Sequence, residues 1–255
     1  MHLENIQQPK NQNMEKTAGL LDMVLKAHGG VERWNQLKRV RLHLSTEGYL
    51  WTVKGHEGAL KDINMIVDLH KQGSVQEKVF TEGLRAIFEP KRVSTNTQQG
   101  TLVEELLNPR ETFKGLAWET HWSRLQFIHF SLYATYTYFT TPFNLALPGV
   151  VTKEIEPWAE AGEKWRRLEV SYPDSFVTHS KRQVYYFDEN GFLKRHDYWA
   201  ETLAGAGAAH YVFDYKEFDG IKMPTRRNIY QLDGNNHYVP EPVLVSMKVL
   251  GVKFE

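Results

Sequence analysis

The sequence predicts a mainly β protein with helices (α+β), in which a curled antiparallel sheet of about ten strands forms an open barrel. Two observations predict the sheet. From residue 39 onward apolar and polar residues alternate with a period of two, and Asn-Gly and Asp-Gly pairs separate alternating runs in the second half. A third observation, a run without Lys, Arg, Asp or Glu over residues 125–152, predicts a buried helix midway along the chain.

The chain is expected to form a single domain over residues 16–255, because no linker-like stretch divides it. Within this domain we expect a helical insert over about residues 101–141, which covers or plugs the mouth of the barrel. Residues 1–15 are polar and are predicted to form a disordered tail. They contain no apolar segment of a secretory signal, so we expect a cytoplasmic protein, although a chain shortened at its start would give the same pattern.

The first elements along the chain are predicted to be helical. The segment "TAGLLDMVLKAHGG" carries apolar residues at helical spacing, and its final glycine pair, Gly29 and Gly30, is typical of a helix end. The next segment, "VERWNQLK", predicts a short second helix that docks through Trp34 and Leu37. The strands of the sheet follow these helices.

The strands are predicted from alternation and from turn signals. The segments "VRLHLSTEGYL" and "DINMIVDLHK" alternate clearly, and further strands are expected near residues 76–82, 85–93, 152–158 and 164–172. Asn190-Gly191 separates "RQVYYFD" from "FLKRHDYWA", and Asp219-Gly220 separates "AAHYVFDYKEF" from "IKMPTRRNIY". Both pairs favour two-residue hairpin turns, since both turn positions need positive φ. A last strand, "LVSMKVLGVKF", ends the chain.

The charge-free run is a poor candidate for a membrane span. It contains Gln126, several Ser and Thr residues and Pro142, and a span would bury these polar groups in hydrocarbon. Read as a helix over residues 122–139, it has one apolar stripe for the sheet and one aromatic stripe with polar tips, which suits a partly wet cavity. The predicted ligand-binding residues are Trp122, His129, Tyr133, Tyr136 and Phe139. The alternative is a helix that fills the barrel and leaves no cavity.

Composition excludes several classes of function. The 31 basic and 31 acidic residues balance, so no net field attracts nucleic acid or an anionic membrane. The chain has no cysteine, which excludes disulfides, thiolate nucleophiles and Cys-ligated metals. The eleven histidines show no metal-binding spacing, and no phosphate-loop, dinucleotide or nucleophile-elbow motif occurs, so we predict no metal and no cofactor. The aromatic content of 13% suits a pocket for an apolar ligand.

The segment "KRHDYW" is the most reaction-like local cluster. On a strand, His196 and Tyr198 share one face, and antiparallel pairing could bring either of them near His210. A histidine beside a phenol or a carboxylate can run acid–base chemistry near neutral pH. Together with His129 of the helix, these residues form the candidate catalytic set. The alternative is a polar rung on the solvent face of the sheet.

The segment "PTRRNIY" places two adjacent arginines on opposite faces of a strand. Either Arg226 or Arg227 could contact the anionic head of a ligand. The alternative for such a residue is an exposed ion pair.

Four stretches, "LDMVLKAHGGVERWNQLKRVRL", "YTYFTTPFNLAL", "VYYFDENGFLKRHDYWAE" and "AAHYVFDYKEFDGIKMPTRRNIY", resemble a group of uncharacterised bacterial proteins. The layout also resembles the LolA-like, lipoprotein-carrier-like fold, in which an N-terminal helix precedes an unclosed antiparallel barrel with helices over its mouth. This resemblance implies a hydrophobic cavity that takes an acyl chain or a similar amphiphile. The same fold also hosts a cofactor-independent enzyme of pigment biosynthesis, so the resemblance is compatible with a carrier or a catalyst.

Two hypotheses of function follow. The first is binding of a hydrophobic or amphipathic small molecule, such as an acyl chain, a lipid or an aromatic metabolite, in the barrel cavity. The second is a cofactor-independent lyase, isomerase or cyclase that acts on a hydrophobic substrate through His and Tyr acid–base catalysis. The second requires at least two of the candidate catalytic residues to point into one cavity.

Overall fold

The computed structural model describes residues 19–80 and 83–255, so the predicted tail over residues 1–15 lies outside the described residues. The helices in these ranges are α1 (Leu20–Ala27), α2 (Val31–Gln36), α3 (Tyr49–Val53) and α4 (Arg124–Thr140), with short 3-10 helices at Pro109–Phe113, Phe143–Ala146 and Glu201–Leu203. The strands are β1 (Arg39–Glu47), β2 (Ile63–Asp68), β3 (Ser74–Val79), β4 (Leu84–Glu89), β5 (Arg92–Asn96), β6 (Leu102–Leu107), β7 (Val151–Glu160), β8 (Glu163–Ser171), β9 (Arg182–Phe187), β10 (Leu193–Ala200), β11 (Ala206–Phe218), β12 (Ile221–Leu232), β13 (Tyr238–Val239) and β14 (Val245–Phe254).

The described strands form one large antiparallel sheet. Its order is β6-β5-β4-β3-β2-β1-β14-β12-β11-β10-β9-β8-β7, with β13 paired to β12. Two meanders, β1–β6 and β7–β12, are therefore joined by β14, which lies between β1 and β12. Within residues 19–80 and 83–255, β6 and β7 end the two sides of the sheet without pairing to each other, so the barrel is open.

The predicted fold class is confirmed, and the described part of the chain holds fourteen strands where the sequence suggested about ten. Two of the additional strands are β5 and β6. The stretch 85–93 is a hairpin, since β4 and β5 turn at residues 90–91. The expected helical insert begins with β6, a strand that pairs with β5 at the edge of the sheet.

The two hairpin signals lead to different turns. Asp219 and Gly220 both have positive φ, 52° and 84°, and join β11 to β12 directly. In the β9–β10 connection only Gly191 has positive φ. Here the Asp188 carboxylate accepts hydrogen bonds from the backbone amides of Asn190 and Phe192. This Asx-type arrangement stabilises a longer loop over residues 188–192 in place of the two-residue turn.

Helix α4 explains the charge-free run. A capping box starts it, since the Ser123 hydroxyl accepts from the Gln126 amide and the Gln126 side chain accepts from the Ser123 amide. Every residue from Phe127 to Thr140 is buried. The helix contains polar residues, but threonine hydroxyls such as that of Thr135 donate to carbonyls one turn earlier. None of the helices in the described ranges is long and apolar enough to cross a membrane.

Helix α4 lies against the concave face of the sheet, where it contacts β2, β3, β4 and β5. It forms the centre of the main hydrophobic core, together with inward side chains of β1, β2, β12 and β14. A second core packs α1 against β8, β9 and β10. Because both long sides of α4 are covered, the helix divides the interior of the barrel and determines where any cavity can lie.

Candidate functional site

An interior cavity, lined mostly by buried residues, lies between α4 and the inner face of the sheet. The half-buried residues Trp118, Ala206 and Gly207 lie at its outer end, and the buried residues Met65 and Tyr138 lie deeper. Its walls are almost entirely apolar, with a few hydroxyl groups. The lining residues are Thr46, Leu50, Trp51, Leu60, Ile63, Met65, Trp118, Phe130, Ser131, Ala134, Thr135, Tyr138, Tyr198, Ala200, Leu203, Ala206, Gly207, Ala208, Ile229, Leu244, Val245 and Met247.

The cavity exists because small side chains face each other across it. On α4, Ser131, Ala134 and Thr135 form a stripe of small residues at helical spacing, and Ala200 and Ala208 lie on the facing strands. Larger residues at these positions would fill the gap, as they do elsewhere along the helix. This stripe of small residues differs from both the apolar and the aromatic stripe identified in the sequence. The small size of its side chains is the sequence signal that indicates the cavity-facing side of α4.

The cavity in this structure is narrow. Its volume is about 40 Å³, which accommodates only a few water molecules. Sites for drug-sized ligands have volumes of about 300–1,000 Å³. The helix therefore nearly fills the barrel, and a larger ligand requires a displacement of α4 or of the segments beside it.

Two polar atoms on the cavity wall have no hydrogen-bond partner among the described residues. They are the Oγ1 atom of Thr46 and the indole Nε1 atom of Trp51. A buried donor without a partner costs about 1–3 kcal/mol. Water or a polar atom of a ligand in the cavity would satisfy both groups.

The deep wall of the cavity contains a hydrogen-bonded group of aromatic side chains centred on Tyr138. Its hydroxyl lies 2.8 Å from the Tyr198 hydroxyl and 2.8 Å from His179 Nε2. The imidazole of His179 also stacks on the Tyr198 ring, with centroids 3.9 Å apart, and its Nδ1 lies 3.4 Å from the Tyr133 hydroxyl. The group joins α4 to β10 and to the loop that carries His179.

Burial keeps this group uncharged. It lowers the pKa of His179 to about 3, with a smaller contribution from Arg110, and raises the pKa of Tyr138 well above its ordinary value. The pKa of Tyr198 is raised by burial as well. At neutral pH Tyr138 and Tyr198 therefore present neutral hydroxyl groups on the cavity wall, whereas the neutral imidazole of His179 lies outside the lining and contacts the Tyr138 hydroxyl.

The five predicted ligand-binding residues are all buried, but none of them lines the cavity between α4 and the sheet. His129 packs against Phe88 and Phe113, and both of its ring nitrogens lack partners among the described residues. Tyr136 lines a separate surface groove of about 220 Å³ beside α2. The ring of Trp122 packs on Phe113 and Phe130. The hydroxyl of Tyr133 is hydrogen-bonded to the hydroxyl of Thr202. The ring of Phe139 lies under the guanidinium of Arg227.

The candidate catalytic residues are brought together only in part. Tyr198 lines the cavity, whereas His196, His210 and His129 do not. His196 and His210 are paired across β10 and β11, with ring centroids 5.8 Å apart, but His196 Nε2 lies 2.6 Å from Gln183 Oε1 and the ring stacks on Tyr185. Burial lowers the pKa of both imidazoles well below the ordinary value. The segment "THSKRQ" was expected to be a solvated turn or to lie at the mouth of the barrel, and its His179 was not part of the candidate catalytic set, because no periodicity indicates the direction of a side chain in a loop.

The opposite face of "KRHDYW" forms a second buried cluster. Arg195 is fully buried and donates to both carboxylate oxygens of Asp197, at 2.7 and 2.8 Å, and to Glu160 at 2.8 Å. Its guanidinium lies among the rings of Trp158, Tyr186 and Tyr211. The charges are paired and turned away from the cavity, so we assign this cluster to the stability of the sheet.

The two adjacent arginines of "PTRRNIY" lie in contrasting surroundings. Arg226 is partly exposed and pairs with Asp214 at 2.7 Å. Arg227 points inward and is only 2% exposed.

In residues 19–80 and 83–255, no group of three His, Asp or Glu side chains is placed to hold a metal ion.

Comparison with known proteins identifies relatives of the fold only. No protein-family model matches the chain, and no curated protein matches its sequence. A LolA superfamily protein from Nitrosomonas europaea superposes with a TM-score of 0.50 at 9% identity, over 88% of this chain and 91% of that one. A domain proposed for outer membrane lipoprotein sorting, from Vibrio parahaemolyticus, gives a TM-score of 0.53 at 7% identity, over 92% of each chain. The chain therefore has a LolA-like fold.

Proposed function

We propose that this protein binds a hydrophobic or amphipathic small molecule, such as an acyl chain, a lipid or an aromatic metabolite, in the cavity between α4 and the sheet. The observation that carries the proposal is the apolar lining of this cavity, which extends from the half-buried Trp118 to the buried Tyr138. An apolar chain placed there would gain about 25 cal/mol for each Å² removed from water.

The fold supports the same function. One protein of similar fold is described as a domain proposed for outer membrane lipoprotein sorting. At 7% identity this likeness carries over only the architecture, a curled sheet with a helix against its concave face. In that architecture the interior lies between the sheet and the helix, which suits an elongated apolar ligand.

Binding would enlarge the cavity at the expense of contacts made by the N-terminal half of α4. Arg124–Ser131 makes ring contacts, as between Phe127 and Trp51, with centroids 5.6 Å apart. Its Gln126 side chain bonds Thr112 and its Arg124 side chain pairs with Glu104, both away from the β9–β12 side of the sheet. The hydrogen bonds from α4 to the β9–β12 side of the sheet, including those of Tyr133 and Tyr138, belong to the C-terminal half. Apolar packing can be exchanged for apolar ligand contacts at little cost, so we assign the opening movement to the N-terminal half.

The lining tryptophans provide a direct test. Titration of the protein with hexadecanol should change the intrinsic fluorescence saturably, because Trp51 and Trp118 line the cavity. The Trp51→Phe/Trp118→Phe double variant should lose most of this change. The matched control Trp165→Phe, on the outer face, should retain it. An unsaturable response, or a full response in the double variant, contradicts binding in this cavity.

A catalytic role is a second candidate, favoured by the hydroxyls of Tyr138 and Tyr198 on the cavity wall, the first of which is also bonded to His179. A cofactor-independent enzyme at this site would use these three residues as its acid–base group. The test is incubation of the protein with a molecule extracted from it, followed by mass analysis. Conversion that is lost in Tyr138→Phe supports an enzyme, and an unchanged molecule rejects it.

A further inference from the structure

We propose that the ligand is an amphiphile with an anionic head, and that Arg227, which lies beside the cavity-lining Tyr138, binds this head. The inference rests on the proposed function and narrows its ligand class. Arg227 is only 2% exposed, and no Asp or Glu in the described ranges forms an ion pair with it. The other fully buried arginine, Arg195, has two carboxylate partners.

The surroundings of Arg227 leave its charge uncompensated. Its Nη2 donates to the backbone oxygen of Tyr138 at 3.2 Å, and its Nη1 lies 3.4 Å from His210 Nε2. The rings of Tyr138 and Phe139 lie 5.6 and 5.1 Å from the guanidinium carbon. All these partners are neutral, and burial lowers the pKa of Arg227 to about 10, so the group still carries its charge at pH 7.

Two hydrogen-bond donors are unused at this point. The Nε atom of Arg227 has no partner among the described residues. Because the guanidinium can only donate, His210 Nε2 must accept, and the proton of the neutral imidazole then lies on Nδ1. That Nδ1 also lacks a partner in the part of the chain that the structure describes. A carboxylate or a phosphate would supply both the missing acceptors and the missing negative charge.

The strand register places Arg227 directly beside the cavity. Thr46 of β1 is paired with Met247 of β14, and Met247 is paired with Arg227 of β12. Thr46 and Met247 both line the cavity, as does Ile229, two residues from Arg227 on the same face. Tyr138 lines the cavity and its ring centroid lies 5.6 Å from the guanidinium carbon, so a displacement of this ring would bring the cavity to Arg227.

The test compares three probes with the same chain: palmitate, hexadecyl phosphate and hexadecanol. The wild-type protein should bind at least one of the two anions about tenfold or more tightly than the alcohol, since a charge-assisted hydrogen bond forms only with the anions. The anion preferred identifies the head as carboxylate or phosphate. Arg227→Met should abolish the preference and retain binding of hexadecanol, and Arg227→Lys should retain part of it.

The control is Arg226→Met, which removes the same charge one residue away on the opposite face and should leave all three affinities unchanged. Thermal unfolding of each variant verifies its folding. Equal affinities for the three probes in wild type, or an anion preference that survives in Arg227→Met, overturn the assignment of the head group and leave the proposed function standing. If none of the three probes binds, the proposed function and this inference fail together.

Discussion

The hydroxyl of Tyr138 in α4 lies 2.8 Å from the hydroxyl of Tyr198 in β10, across the deep end of the cavity. Tyr138 also bonds His179 Nε2 at 2.8 Å, so one phenol links the helix to a strand and to a loop. This bridge fixes the C-terminal half of α4 over the sheet. The same residue, Tyr138, contacts Arg227, whose guanidinium carbon lies 5.6 Å from its ring centroid.

Tyr198→Phe should loosen this bridge without removing the ring that stacks on His179. We expect a loss of about 1 kcal/mol in the free energy of unfolding, together with faster amide exchange in the C-terminal half of α4. Hydrogen exchange measured by mass spectrometry checks the second effect. The control Tyr238→Phe, on an exposed strand, should change neither quantity. Equal exchange of α4 in Tyr198→Phe and in wild type would show that the bridge does not hold the helix.

His129 is expected to lower the free energy of unfolding of the unliganded protein. Its two ring nitrogens have no partner among the described residues, and the ring lies against Phe88 and Phe113. His129→Phe keeps a ring of similar shape and removes the unsatisfied groups, so it should raise the free energy of unfolding by about 1 kcal/mol or more. Chemical denaturation measures this. A destabilised variant would mean that the imidazole nitrogens have a partner in solution.

The buried histidines predict acid sensitivity. Burial lowers the pKa of His28 to about 4 and the pKa of His129 and His179 to about 3, below the ordinary value of 6.5. Between these values the unfolded chain binds more protons than the folded one, so stability is lost as pH falls below about 6.5. In His129→Phe the slope between pH 6 and 4 should be smaller by up to about 1.4 kcal/mol per pH unit. An identical slope in the variant and in wild type would contradict a neutral, buried His129.

The buried cluster around Arg195, on the outer face of the sheet, should contribute to the free energy of unfolding and not to ligand affinity. Asp197→Asn leaves the buried guanidinium of Arg195 with Glu160 as its remaining carboxylate partner, and we expect a loss of about 3 kcal/mol. The matched control is Asp214→Asn, which breaks the exposed pair with Arg226 and should cost less than about 1 kcal/mol. Affinity for hexadecanol should be unchanged in both. A strong loss of affinity in a folded Asp197→Asn protein would connect this face to the cavity.

The alternation of strand residues was enough to predict the sheet and the faces of several side chains. Arg226 and Arg227 fall on opposite faces as their spacing requires, and Asp219-Gly220 forms the turn that its positive φ angles demand. These features are local, since each depends on neighbours in the chain. The number of strands depended on short edge elements such as β6, whose sequence, LVEELL, shows no alternation of apolar and polar residues.

The cavity-facing side of α4 could not be predicted from apolar periodicity. A helix covered on all sides carries apolar residues around its whole circumference, so no single stripe stands out. The cavity lies where side chains are small, at Ser131, Ala134 and Thr135, and small residues give no hydrophobic signal. The pairing of His179 with Tyr138 joins a loop to a helix, and only the folded structure brings them together.

Native mass spectrometry of the protein incubated with palmitate tests the central claim most directly. We predict one bound molecule per chain, absent in Ala134→Leu, whose larger side chain fills the cavity, and present in Ala159→Leu, which adds the same side chain on exposed β7. Loss of binding in the first variant alone would place the ligand between α4 and the sheet. Absence of binding to wild type, or equal binding to both variants, would contradict the account.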